Sequence, residues 1–96
     1  MEKLIKELEE ELLNKEMTLL ELDNEAERIT GSENSIFDYA DEIRADGSGS
    51  YYVKEYDKEI VIEYESVEGK TDEEVQEMEA EEQFELKVKV TSIWED

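Results

Sequence analysis

Phe84-Glu85-Leu86-Lys87-Val88-Lys89-Val90-Thr91 alternates apolar and polar residues at every step. Successive side chains of a β-strand point to opposite faces. A period of two therefore sends Phe84, Leu86, Val88 and Val90 inward and leaves Glu85, Lys87, Lys89 and Thr91 in water. A strand is expected over residues 83–94. Upstream, Ile60, Ile62 and Tyr64 share one face of a second strand, with Val61, Glu63 and Glu65 on the other. Tyr51-Tyr52-Val53 opens a third, aromatic and β-branched, and Asp57-Lys58 offers a tight turn between the two. This strand pair spans 51–68, and Glu68-Gly69-Lys70 closes it.

The period changes towards the N-terminus. Ile5, Leu8, Leu12, Lys15, Leu19, Leu22, Ala26 and Ile29 recur at spacings of three and four, with Lys15 the only polar member. That predicts one helix over 1–30, widened by Leu4, Leu13 and Leu20 and stopped by Gly31. Asn14, Thr18 and Asp23-Asn24 are its weak points, and a break at one of them would give two helices. After the polar Ser32–Ser35, the residues Ile36, Tyr39, Ala40 and Ile43, with Phe37, predict a second helix over 33–45. The alternative there is a strand with Phe37, Tyr39 and Ile43 on one face. Asp46-Gly47-Ser48-Gly49-Ser50 reads as a turn. Thr71-Asp72-Glu73-Glu74 fits a capping box opening a short acidic helix over 71–82, with Val75 and Met78 facing the core. The fold class expected is α+β in a single domain, 1–96. A long N-terminal helix and a second short helix pack on a three-stranded antiparallel sheet, with the acidic helix before the last strand.

Charge dominates the chemistry. The 96 residues carry 31 Asp and Glu against 10 Lys and Arg, a formal −21, with no His. Leu, Ile, Val and Phe number 23, above the roughly 20% that marks a disordered chain, so a small core in a charged shell is expected. With neither His nor Cys, the usual bases, nucleophiles, zinc ligands and disulfides are missing. No enzymatic activity, cofactor or metal is expected. The Asp46–Ser50 stretch fails the calcium-loop pattern, having Tyr51 where glycine and Asp57 where glutamate belong. Nucleic acid and anionic membranes would repel this chain, and no signal peptide or apolar span is read. A cytoplasmic protein with no direct nucleic-acid or membrane contact is expected. The partner implied is a basic protein surface.

Carboxylates are densest in one place. Asp72, Glu73, Glu74, Glu77, Glu79, Glu81 and Glu82 fall within eleven residues that include no Lys or Arg. As a helix of about 16 Å they would carry one charge per roughly 2.4 Å, near the one per ~1.7 Å of duplex DNA. Repulsion at Glu73/Glu77 and Glu77/Glu81 weakens such a helix, so folding alone does not account for it. The rival explanation is a solvated helix that aids solubility. Lys87 and Lys89 are expected to neutralise neighbouring strands and make the sheet's outer face the least anionic. Tyr51, Tyr52, Tyr56 and Tyr64 read as core or strand-face packing, with one or two as interface anchors the alternative. Trp94 reads as a cap on the core, with a place in a partner's pocket the alternative.

A small, Cys-free, very acidic α+β chain with this carboxylate run resembles the phage-encoded DNA-mimic inhibitors: anti-CRISPR proteins, uracil-DNA glycosylase inhibitors and anti-restriction proteins. The resemblance implies a stoichiometric inhibitor seated in the basic groove of a nuclease, a CRISPR effector or another nucleic-acid-processing protein, without catalysis. The seven carboxylates would stand in for phosphates. The alternative is an acidic adaptor that forms a homodimer through the N-terminal helix, its acidity serving solubility.

Overall fold

The computed structural model describes residues 1–32 and 46–96, so the helix expected over 33–45 lies outside the described residues. The described chain runs α1 (Glu2–Leu12), β1 (Glu16–Thr18), α2 (Leu19–Thr30), β2 (Asp46–Val53), β3 (Lys58–Ser66), α3 (Asp72–Glu77), α4 (Ala80–Phe84) and β4 (Lys87–Glu95). The strands form one antiparallel sheet in the order β1-β4-β3-β2. The class is α+β, with four strands instead of three.

The extra strand comes from the expected N-terminal helix, which is not continuous. Leu13 is extended (φ −62, ψ 131), and Asn14 takes a left-handed φ of 63, which Asn tolerates better than most residues. The chain then pairs with β4, which would otherwise have an open edge. Asn14 N–H donates to Val90 O at 2.9 Å, and Leu19 N–H donates to Leu86 O at 2.9 Å. Thr18 restarts the helix: its hydroxyl accepts from Glu21 N–H at 3.2 Å, and Glu21 reaches back to complete a capping box. Leu8, Leu12, Leu19, Leu22 and Ala26 are all buried, so the apolar stripe is real. Its gap of seven between Leu12 and Leu19 equals two helical turns, so the strand left the periodicity intact.

Asp46–Ser50 is the first half of β2 and not a turn. Gly47 and Gly49 pair with Tyr64 and Ile62, while Ser48 and Ser50 stand exposed on the other face. The Gly/Ser alternation was itself a period of two. The reversal falls at residues 54–57, with Asp57 in a left-handed φ of 50, one residue earlier than expected.

One core cluster joins Leu8, Leu12, Leu19, Leu22 and Ala26 to Tyr51, Val53, Ile60, Ile62, Tyr64, Val88, Val90 and Ile93, with Val75 and Leu86 closing it. It lies between the helices and one face of the sheet. A β-bulge in β4 lets Val88, Val90 and Ile93 all face inward: Tyr64 pairs with Val90 and Glu63 with Ser92, so Thr91 is the extra residue. Phe84 ends α4 and is only half-buried, and Leu86 is buried but precedes β4, so of the four inward residues expected only Val88 and Val90 lie in the strand. A buried polar tie crosses the layers: Tyr51 Oη donates to Asp23 Oδ1 at 2.8 Å, joining β2 to α2. Burial first, and the Asp23 charge second, push the Tyr51 hydroxyl well above its ordinary value.

Candidate acidic interface

The acidic run is anchored from beneath. Thr71 caps α3 as expected, its hydroxyl accepting from Glu74 N–H at 3.2 Å while Glu74 Oε1 accepts from Thr71 N–H at 3.2 Å. Val75 is fully buried and Met78 packs against the core. The expected single helix to Glu82 does not form. Met78 and Glu79 are extended (ψ 148 and 154), and α4 begins afresh at Ala80. A continuous helix would have turned Glu79 and Glu82 towards the core, four and seven residues after Val75. The break turns Gln83 inward instead. Gln83 is 4% exposed, and its Nε2 donates to Val75 O at 2.9 Å, satisfying a terminal carbonyl of α3.

Asp72, Glu73, Glu74, Glu77, Glu79, Glu81 and Glu82 are all exposed. They are not one straight track. Asp72, Glu73, Glu74 and Glu77 stand on α3, Glu79 at the junction, and Glu81 and Glu82 on α4. Glu73 and Glu77 remain one turn apart, whereas Glu77 and Glu81 now belong to different helices. Glu74 is held by its cap, so it serves the fold as well as the surface. Among the described residues no three carboxylates converge closely enough to hold a metal ion.

The helical face of α1 and α2 is different. There Arg28 Nη2 pairs with Glu25 Oε2 at 2.6 Å. The Glu25 hydrogen bond chiefly, with Glu11 and Glu7 of α1 adding to it, raises the Arg28 pKa. Arg28 in turn lowers that of Glu25. That face carries its own cation, whereas residues 72–82 carry none.

On the far side of the sheet, Lys89 stands in register with both Glu16 and Glu65 but forms an ion pair with neither among the described residues. Lys87 faces Thr18. The outer face is not uniformly the least anionic, because Glu59, Glu63 and Glu65 of β3 are exposed there. Trp94 does not cap the core. It is 37% exposed on this outer face, opposite Val61. Tyr51 and Tyr64 are core, Tyr52 is half-buried with its hydroxyl donating to Asp57, and Tyr56 is exposed in the turn. The reading of Trp94 as a core cap fails because the bulge at Thr91 reverses the alternation before it. No helix among the described residues is long and apolar enough to cross a membrane. The chain matches no protein-family model, no curated protein and no solved structure.

Proposed function

We propose that this protein is a stoichiometric inhibitor of the DNA-mimic type, acting in the cytoplasm. In this reading it blocks the basic groove of a nuclease, a CRISPR effector or another nucleic-acid-processing protein. One observation supports this most: seven exposed carboxylates, in a stretch whose own sequence includes no Lys or Arg, stand on a segment fixed by Val75, Met78 and Gln83. Groups held rigidly cost less entropy on binding than groups on a mobile tail. Two short helices set at a break present charge in two clusters, which suits a curved basic groove better than a straight rod does. The rival adaptor reading has less support, since Leu8, Leu12, Leu19 and Leu22 are already covered by the protein's own sheet.

Affinity capture from a bacterial lysate, with and without excess duplex DNA, tests the proposal. Captured proteins should be nucleic-acid-binding, and DNA should displace them. Association should slow steeply as the Debye length contracts from about 30 Å at 0.01 M salt to about 8 Å at 0.15 M. Capture indifferent to both DNA and salt would refute it.

A further inference from the structure

The outer face of the sheet carries an apolar spot that the acidic interface leaves unexplained. Val61 is 8% exposed, yet it points away from the helices and lies outside the core cluster. Its cross-strand partner is Trp94, which keeps over a third of its surface in water. Two residues to either side of Val61 on the same face stand Glu59 and Glu63, both exposed. The ion pairs among the described residues are Arg28–Glu25 and Lys58–Glu95, so neither of these two carboxylates is engaged in one. Lys87 and Lys89, cations of this face, sit further along β4, Lys89 between Glu16 and Glu65.

Same-face neighbours along a strand are about 6.6 Å apart, and diagonal cross-strand neighbours about 7–8 Å. The indole therefore has Glu59 and Glu63 of β3 as its two diagonal neighbours, so a cation stacked on it lies within reach of a carboxylate. Arg stacks flat on an indole while its in-plane N–H groups reach carboxylates, whereas Lys is a hydrated point charge that cannot stack. A second copy of this chain would bring one carboxylate rim against another, and a nucleic acid would bring phosphates to them. We propose that the outer sheet face at Trp94, beside Glu59 and Glu63, docks an arginine-bearing segment of a basic protein. This surface lies across the sheet from α3 and α4 and does not depend on the inhibitor reading.

Trp94 is the single tryptophan, so its fluorescence reports on this site alone. The full chain is titrated with an arginine homopeptide and a lysine homopeptide of equal length, following Trp94 emission and binding heat. The arginine peptide should perturb the emission and bind roughly two- to fivefold more tightly than the lysine peptide. Trp94→Leu should erase that preference while leaving the circular dichroism unchanged. Glu63→Gln and Glu59→Gln should each weaken arginine-peptide binding and its fluorescence response. Glu73→Lys with Glu77→Lys should leave the response in place. Equal affinity for the two peptides, an unchanged emission, or loss of the response in the Glu73/Glu77 variant would overturn the proposal.

Discussion

Tyr51→Phe isolates a buried polar tie between the helices and the sheet. Phe occupies nearly the same space, so no cavity forms, but it cannot donate to Asp23, which is 3% exposed. A hydrogen bond to a charged group is worth about 1.5–3 kcal/mol. With an m-value of about 1.5 kcal/mol/M in urea, the unfolding midpoint should fall by about 1–2 M. The pH dependence gives a second readout. The Tyr51 hydroxyl is raised in the folded chain, so its contribution is complete below the ordinary tyrosine value near pH 10. Above that value the unfolded chain releases this proton and the folded chain does not. Stability attributable to Tyr51 then declines by up to about 1.4 kcal/mol per pH unit. Urea titrations monitored by circular dichroism at pH 7 and through pH 9–11 measure both effects. The gap between wild type and Tyr51→Phe should be largest at pH 7 and close as pH rises. A midpoint shifted by less than about 0.3 M, with the same alkaline slope in both chains, would refute the reasoning.

Leu19→Glu should unfold the chain and not merely dissociate it, because Leu19 is fully buried within its own protomer; circular dichroism with light scattering distinguishes a folded monomer from an unfolded one. Replacing Glu73, Glu77 and Glu81 by Lys should leave the melting temperature equal or higher and weaken partner binding strongly, as read by melts and a titration. Glu74 is spared in that variant because it completes the Thr71 cap. Thr18→Ala should cost about 1 kcal/mol in urea titrations, since it removes the cap that restarts the helical layer after β1.

Burial pattern was far more legible in the sequence than continuity. Leu8, Leu12, Leu19, Leu22 and Ala26 face the core as the stripe required, and so do Ile60, Ile62 and Tyr64. Continuity is decided by the weak points Asn14 and Thr18 and not by the unbroken period: the helix breaks there into two, the alternative reading, with a strand between them. Residues 13–18 fit a helix by spacing, but the free edge of β4 offered backbone hydrogen bonds that local propensity cannot register. A signal for the restart was present: Thr18-Leu19-Leu20-Glu21 has the same spacing as Thr71-Asp72-Glu73-Glu74, and both form capping boxes. In the acidic run, Val75 and Met78 were rightly placed, while the break followed from Glu79 and Glu82 occupying the positions a longer helix would bury. The Asp23–Tyr51 tie joins residues 28 apart and leaves no local trace. The exposure of all seven carboxylates was legible from charge alone; their division between two helices was not.

Thr91 acts as a phase shift along β4. Before it, even-numbered residues, Val88 and Val90, point to the helices; after it, the odd-numbered Ile93 does, and Trp94 turns outward. Deleting this one residue would remove the bulge and leave Ser92, Ile93 and Trp94 opposite Glu63, Ile62 and Val61, on the faces they already occupy. A strand that kept Thr91 but paired regularly through it would instead set Ile93 against Val61 and turn the indole to the core, with its emission at shorter wavelength. One unpaired residue thus decides which side chain stands on each face without altering the topology. The surface at Trp94 is set by counting as much as by composition.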